Sequence, residues 1–341
     1  MEPAKDNLRS GYTTGACAAA ATRAALPAGP AAAAEWAPNT AELLTREKPG
    51  YGGLSGVVVN HANGQILVCL SDRGVYQTTD RGKTWERFGA EAFKGRTESP
   101  GCFLLDPTGK SRRVLVPLVY GAPITFGDGG EWKTMAKESA HVDHAAVDWT
   151  DPEMKFVLTV KHESDGKLLL SDDAGKTFRE VGKGYGYGWV FDNKTAVVAT
   201  VKTKDTPGGK LLRTTDGGKT FESAGKYDVK SIPKWHDGAL YWLMDDALYR
   251  TTDKGEKWEN LGAIKDARYG PIFGKSAKHL FVLTKNGIVE SADGGRTWSE
   301  AIAPPKELKG IPPLTWLEYD PTSDTLYLMK MGSELYKLSR K

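Results

Sequence analysis

The side chains best suited to bind a ligand or to do chemistry lie in loop-forming stretches between apolar runs. These stretches mix aromatic residues, which suit sugar rings, with arginine and acidic residues, which suit carboxylates and hydrogen-bonding ligands. We predict that a ligand-binding cup is lined by Arg96, Glu98, Tyr120, His141, Asp143, His144, Glu163, Tyr185, Tyr187, Trp235, Arg268 and Tyr269. The predicted ligand is a glycan or a protein, and we assign none of these residues a catalytic role.

One pair of histidines has a spacing that could serve a metal. His141 and His144 flank Asp143, and all three side chains are of types that bind zinc. Zinc takes three or four ligands in tetrahedral geometry, and a loop need not aim both imidazoles at one point. We therefore expect hydrogen-bonded surface roles here, with no metal site and no cofactor.

A repeated motif shows which elements must position these loops. The sequence TTDRGKTW at residues 78–85 returns five more times, once in altered form as FGDGGEW. The motif aspartates are separated by 48, 45, 43, 37 and 40 residues. A spacing of about 40–50 residues is typical of the four-stranded blades of a β-propeller. The motif aspartates are Asp80, Asp128, Asp173, Asp216, Asp253 and Asp293.

The motif has a structural explanation that needs no ligand. We expect each aspartate to accept a hydrogen bond from a backbone N–H two residues on. The glycine supplies a positive φ, and the final Trp or Phe fills the space between neighbouring sheets. We therefore predict that the six aspartates are structural.

The motif resembles the Asp-box, or BNR repeat, of sialidases, sortilin-type receptors, some endoglucanases and propellers that assist photosystem II assembly. The resemblance implies a β-propeller, and this architecture serves many functions. Sialidases also use three arginines as a carboxylate clamp, a Tyr–Glu nucleophile pair and an Arg-Ile-Pro motif in the first blade. Residues 54–60 contain no arginine, and only Arg96 and Arg268 are good clamp candidates. This favours non-catalytic binding, with a sialidase-like exo-glycoside hydrolase as the alternative.

The apolar runs predict the number of blades. Residues 54–60, 66–70, 74–79 and 83–88 read as four strands, A to D, with the motif in the C–D turn. Residues 314–338 supply strands A to C of a last blade, and residues 36–44 resemble its missing strand D. We predict an all-β, seven-bladed propeller over residues 35–341, closed by an N-terminal strand, with six blades as the alternative. The D–A and B–C loops share one face, where we place the cup.

Residues 1–34 differ from the rest of the chain because alanine dominates them. We expect this leader to be disordered or helical. Residues 8–26 resemble the N-terminal motif of the cobalt-precorrin methyltransferases, and the similarity ends at Pro27. The leader is a poor secretory signal, but the Asp-box resemblance implies an extracytoplasmic protein, periplasmic or secreted.

Composition restricts which partners, membrane segments and disulfides the chain could have. The 341 residues are 40% hydrophobic and 26% charged, with a net charge of +3, which does not predict nucleic-acid binding. No apolar run is long enough to span a membrane, and we expect a monomer. Cys17, Cys69 and Cys102 give no disulfide framework, and whether Cys69 and Cys102 pair stays open.

Overall fold

The structure, a computed structural model, describes residues 35–89, 95–98 and 102–340. These residues form a seven-bladed β-propeller, as the repeat predicts. The leader lies outside the described residues, and so do Cys17 and the stretch that resembles the methyltransferases. Blades are numbered here along the chain from residue 54, and strand A is the innermost strand of each blade.

The first four blades each contain four antiparallel strands. Blade 1 contains Leu54–Val59, Ile66–Leu70, Gly74–Thr78 and Glu86–Arg87. Blade 2 contains Leu104–Leu105, Val114–Val116, Thr125–Gly127 and Trp132–Thr134, with a separate ribbon that pairs Gly95–Arg96 with Tyr120–Gly121. Blade 3 contains Val142–Val147, Val157–Lys161, Leu168–Ser171 and Arg179–Gly182. Blade 4 contains Tyr185–Val190, Ala196–Thr200, Leu211–Thr214 and Glu222–Gly225.

The last three blades complete the ring. Blade 5 contains Lys234–His236, Ala239–Met244, Ala247–Thr251 and Glu259–Ala263. Blade 6 contains Ala267–Phe273, Leu280–Thr284 and Gly287–Ser291. Blade 7 contains Thr315–Asp320, Thr325–Lys330, Tyr336–Ser339 and the N-terminal strand Ala37–Pro38. Two short 3-10 helices, Lys137–Ser139 and Lys306–Leu308, lie in connections between blades.

In blade 6 the fourth strand is reduced to an isolated β-bridge. Ile302 and Ile288 exchange two backbone hydrogen bonds of 2.8 and 3.0 Å and form an isolated bridge. Pro304 and Pro305 follow after Ala303, and a proline has no N–H to donate to a sheet. The prolines therefore prevent the pairing from continuing beyond Ile302, while the Ser299 N–H still donates to the Glu290 carbonyl oxygen at 2.8 Å.

The N-terminal segment closes blade 7, as the sequence predicts. Pro38 pairs with Tyr336 and Ala37 pairs with Lys337. The predicted extent of this strand, residues 36–44, is wrong because Ala41–Glu47 forms an α-helix. Its sequence AELLTRE is rich in good helix formers, and burial of Leu43 anchors it to the propeller.

The repeated turns contain the expected residues in a different bonding pattern. In five of the six copies the aspartate accepts a backbone N–H four residues on, and the predicted two-residue pattern is found only at the altered copy. Asp173 accepts the Thr177 N–H at 2.9 Å and its hydroxyl at 2.6 Å, while Ser171 donates at 2.8 Å. These bonds, that from the Thr177 hydroxyl above all, lower the pKa of Asp173 to about 2.

The motif glycine serves packing as well as the turn. Gly218 has φ +76°, and a Cβ there would lie 2.2 Å from Cδ1 of Leu170 in the preceding blade. The final aromatic of each motif packs in the same seam. Trp298, for example, contacts the core cluster that Leu243 and Leu248 of blade 5 share with Leu280 of blade 6. The repeat thus joins neighbouring blades.

Among the described residues, no helix is long and apolar enough to cross a membrane. Cys69 is a fully buried free thiol, and burial raises its pKa to about 11. The Cys102 side chain is also buried, and it donates a hydrogen bond to the carbonyl oxygen of Asp143.

Candidate functional site

A cavity of about 970 Å³ opens at the end of the channel where the A–B turns lie. Its rim includes residues 60–62 of blade 1, 106–109 of blade 2, 274–276 of blade 6 and 321–322 of blade 7. We call it the A–B cavity. The repeated C–D turns share this face. The predicted cup lies on the opposite face, with the D–A and B–C loops. The walls of the A–B cavity come from the ends of the inner strands, whose aromatic residues look like core residues in the sequence.

Aromatic rings form much of the wall of the A–B cavity. Trp189 is the next-to-last residue of strand A of blade 4. Its indole is parallel to that of Trp235, with 6.0 Å between centroids and 6° between planes. His236 stacks on Phe273 with centroids 4.1 Å apart. Trp149 completes the set of tryptophans in the wall. The site therefore offers flat apolar faces to a ligand.

The prediction that Trp235 lies in a loop-forming stretch is wrong, and its neighbour His236 does not lie in a loop either. Both belong to the strand Lys234–His236, which is strand A of blade 5. Only three residues long and followed by a tight turn, this strand has too few residues for an alternating pattern to be recognised. Its register, with Trp235 opposite Leu240 in the next strand, is what brings Trp235 to the cavity.

Charged groups lie deeper in the A–B cavity. Lys234 donates a hydrogen bond of 2.8 Å to the Tyr269 hydroxyl. Glu318 is only 5% exposed, and burial raises its pKa to about 7, against the opposing effects of Lys234 and a backbone hydrogen bond from Val59. Burial likewise lowers the pKa of Lys234. The interior is therefore polar, and its protonation is sensitive to pH near neutrality.

Two imidazoles add polar groups to the wall. Burial lowers the pKa of His61 to about 4, and the positive charge of Lys234 acts in the same direction. Burial also lowers the pKa of His236. Both rings are neutral at pH 7, so each can donate one hydrogen bond and accept another.

The other cavity carboxylates have separate roles. Asp106 accepts the Thr108 N–H and hydroxyl at 2.8 and 2.6 Å, and the Ser111 hydroxyl at 2.5 Å. These bonds fix its A–B turn. Asp237 is exposed on the rim at φ 47°. Among the described residues that line the cavity, Glu318 is therefore the one buried acid whose carboxylate oxygens are not used to fix a turn.

Three further predicted site residues lie in the channel or the core. Tyr269 binds Lys234, as above. His144 is buried, with its Nε2 atom 2.9 Å from the carbonyl oxygen of Gly188, and burial lowers its pKa to about 4. Tyr187 packs edge-on against His144 at 5.4 Å, and burial raises its pKa. The imidazoles of His141 and His144 thus do not converge, and the expected surface role is wrong for His144, which is buried.

Six predicted residues meet on the opposite face, together with His162. We call this group the Tyr120 cluster; it contains Arg96, Glu98, Tyr120, His141, Asp143, His162 and Glu163. The Arg96 guanidinium lies over the Tyr120 ring at 4.3 Å and is paired with Glu98 at 3.2 Å. The Tyr120 ring lies 4.8 Å from His141 and 5.5 Å from His162.

The remaining two predicted residues stand apart from both groups. Tyr185 packs against Phe221 within blade 4, at 6.2 Å between centroids. Arg268 is exposed in the strand Ala267–Phe273 of blade 6.

His162 is absent from the predicted site, although the sequence contains a usable signal for it. Val142 of strand A pairs with Lys161 of strand B, so the residues just outside this hairpin pair, His141 and His162, must be neighbours. The His162 N–H donates to the His141 carbonyl at 2.9 Å. The register of one hairpin would have identified the pair.

No protein-family model matches the sequence, and no curated protein matches it. Solved structures do. The GH74 xyloglucanase of Xanthomonas campestris is 14% identical, with 85% of this chain and 43% of that chain covered and a TM-score of 0.55. The extracellular domain of the putative one-component system BT4673 of B. thetaiotaomicron is 10% identical, with 85% and 38% covered and a TM-score of 0.54.

A third solved structure covers both chains almost fully. YCF48 bound to D1 peptide is 13% identical, with 93% of this chain and 98% of that chain covered and a TM-score of 0.51. By contrast, this chain spans less than half the length of the xyloglucanase and of the BT4673 domain. The shared feature is the propeller fold. At these identities the similarity extends to fold alone.

Proposed function

We propose that this protein is a non-catalytic binding propeller that holds a carbohydrate in the A–B cavity. The observation that carries the proposal is the parallel pair Trp189 and Trp235 in a wall that also contains the polar groups of Lys234 and Glu318. Ligand sites combine apolar aromatic faces with a few fixed polar groups, in volumes of about 300–1,000 Å³. At about 970 Å³, the cavity lies at the upper end of that range.

The chemistry of the wall suits a sugar. Indole faces pack against the C–H faces of a pyranose ring, and the hydroxyl groups need both donors and acceptors. Lys234 donates, and the neutral rings of His61 and His236 do both. Glu318, with its pKa near 7, can donate as the acid or accept as the carboxylate.

A protein ligand is the competing form of the same proposal. One structural neighbour is a xyloglucanase and another is bound to a peptide, so the fold supports both. An extended peptide is best read by an open groove or a sheet edge. The aromatic wall of the A–B cavity favours the sugar. We also propose an extracytoplasmic location, since a polysaccharide ligand would be found there.

Glycoside hydrolysis is the second candidate because Glu318 has the raised pKa of a general acid. Hydrolysis by two carboxylates needs a second one at ~5–9.5 Å. Asp106 is held by its own turn, and Asp237 lies on the exposed rim. A sialidase-like clamp would need arginines, and none is among the described residues that line the cavity. Binding without catalysis fits these residues better.

A glycan array and a panel of fluorogenic glycosides, sialosides included, would test the proposal. We expect the wild-type protein to bind a set of related glycans and to hydrolyse none of the glycosides. Turnover that disappears in Glu318→Gln would establish the hydrolase instead. Peptide binding with no glycan binding would overturn the carbohydrate assignment.

A further inference from the structure

Three potential metal ligands converge in the Tyr120 cluster. His141, His162 and Glu163 each offer one donor atom, and these atoms lie within 4.8 Å of one another. Nε2 of His162 is 3.5 Å from Oε1 of Glu163, and Nε2 of His141 is 3.9 Å from Oε2. Ligands about 2.0–2.1 Å from a tetrahedral zinc ion are roughly 3.3–3.4 Å apart. The Glu163 side chain is 66% exposed and has room for the small adjustment, although it shares a hydrogen bond with Tyr120.

Both imidazoles are oriented as metal-binding imidazoles are. Nδ1 of His162 donates to the Asp143 carboxylate at 2.7 Å, and Nδ1 of His141 donates to the carbonyl oxygen of Val119. Each bond places the proton on Nδ1 and leaves the Nε2 lone pair directed to Glu163. Metal-bound histidines are fixed in this way by a carboxylate or a backbone carbonyl behind the ring. The tautomers are therefore set before a cation arrives.

The surrounding charges allow a cation to approach. The Lys161 ammonium is turned away, to the carbonyl oxygens of Glu138 and Ala140. Arg96 is neutralised by Glu98 at 3.2 Å and covered by the ring of Tyr120. The acidic groups of Asp143 and Glu163 remain nearest to the imidazoles.

We propose that His141, His162 and Glu163 bind a divalent transition-metal ion, with Asp143 as a positioning residue. Two imidazoles and one carboxylate suit zinc, copper or nickel, and they disfavour calcium and magnesium, which prefer oxygen ligands alone. Three protein ligands leave a fourth position for water or an anionic ligand. The site lies on the D–A face, so it is independent of the A–B cavity.

Titration of the metal-free, tag-free full-length chain with ZnCl₂, and separately with CoCl₂, tests the site. Calorimetry should give one zinc ion per chain, and the visible absorption of bound cobalt should report four- or five-coordinate geometry. His162→Ala and Glu163→Gln should weaken zinc binding at least 100-fold. Asp143→Asn should weaken it about 10- to 100-fold while leaving the stoichiometry unchanged.

His279→Ala is the matched control. His279 also contacts a carboxylate, with Nε2 2.6 Å from Oε1 of Glu290, but Arg340 occupies the other side of that acid at 2.8 Å. Zinc affinity should be unchanged in this variant. Circular dichroism would verify that each variant is folded. The proposal is overturned if the wild type binds no zinc at millimolar concentration, or if a His141→Ala, His162→Ala double variant binds it as tightly as the wild type.

Discussion

The Lys234 ammonium donates a 2.8 Å hydrogen bond to the Tyr269 hydroxyl and lies 4.7 Å from the centroid of the same ring. The two residues come from strands A of neighbouring blades, 5 and 6, so the contact lies in the wall of the central channel. Burial lowers the pKa of Lys234 and raises that of Glu318, which comes from blade 7. The channel thus holds groups of opposite charge whose ionisation the fold resists.

Replacing Glu318 by Gln should change how stability depends on pH. The pKa of Glu318 is 4.5 when unfolded and about 7 when folded, so between these values the folded protein holds a proton that the unfolded chain has released. Stability therefore falls as pH rises from 4.5 to 7, by about 3 kcal/mol for this group. When the free energy of unfolding of Glu318→Gln is measured by urea unfolding across this pH range, this part of its dependence on pH should be absent.

The comparison must separate Glu318 from the histidines, which act in the opposite direction. His144, with a pKa of about 4 in the fold, costs stability as pH falls from 6.5 to 4. The difference between wild type and Glu318→Gln cancels this contribution. If the difference in free energy of unfolding is flat from pH 4.5 to 7, the raised pKa of Glu318 is refuted.

Asp173→Ala should reduce stability without affecting ligand binding. The substitution removes the acceptor of the Thr177 N–H and hydroxyl, and loss of a comparable capping acid costs about 1 kcal/mol. Because the pKa of Asp173 is lowered to about 2, its contribution is present above pH 3.8 and is lost as pH falls towards 2. Chemical unfolding at pH 7 measures the effect.

Asp128→Ala is the matched control for the repeated turn. Asp128 accepts only the Gly130 N–H, at 3.1 Å, among the described bonds of the altered copy. Its removal should cost clearly less than that of Asp173. Equal losses of stability in the two variants would show that the hydrogen bonds from Thr177 to Asp173 are not what stabilises the turn.

Thr40→Val should loosen the closure of the ring. Thr40 is fully buried; its hydroxyl donates to Glu334 at 2.8 Å and accepts the Leu335 N–H at 3.0 Å. Valine keeps the shape but leaves that N–H without its partner, at a cost of about 1–3 kcal/mol. Hydrogen exchange should show faster opening in the last strand, Tyr336–Ser339, than in blade 3. Uniform acceleration in all blades would contradict a closure role.

Glu163→Gly should trade metal binding for stability. Glu163 has φ 48°, a region that costs residues with a Cβ about 1–2 kcal/mol and that glycine adopts freely. Without metal, the variant should be more stable than the wild type by about 1 kcal/mol or less, and it should lose zinc affinity. Thermal unfolding with and without ZnCl₂ measures both effects.

Asp165→Gly is the control in the same loop. Asp165 has φ 54° but lies outside the Tyr120 cluster, and aspartate tolerates this region better than glutamate. It should gain less stability and keep zinc binding. Loss of zinc binding in Asp165→Gly would assign the effect to the loop backbone and not to the Glu163 carboxylate.

Most of the fold can be predicted from the repeated motif in the sequence. Its period predicts the blades, and the match between the two chain ends predicts that an N-terminal strand closes the last blade, as the pairing of Pro38 with Tyr336 confirms. The helix Ala41–Glu47 is not predicted, because the match to strand D extends the N-terminal strand to residue 44. Local helix propensity and the burial of Leu43 form a helix there instead.

The sites are harder to predict because they depend on contacts between blades. Trp189 and Trp235 are 46 positions apart in the sequence, and only the ring geometry makes them parallel. Loop composition favours the D–A face, since its polar residues are conspicuous there. The A–B cavity is built from inner strand ends that look like core. His162 is the exception, because hairpin register alone places it beside His141.

The central claim is that the A–B cavity binds the ligand, and one titration tests it most directly. The strongest glycan from the array would be titrated calorimetrically into wild type, Trp235→Ala and Tyr120→Ala. We predict that Trp235→Ala weakens binding at least tenfold, because a stacking face in the wall is lost, while Tyr120→Ala, on the opposite face, binds as the wild type does. Wild-type affinity in Trp235→Ala with lost affinity in Tyr120→Ala would contradict the account and place the ligand on the D–A face.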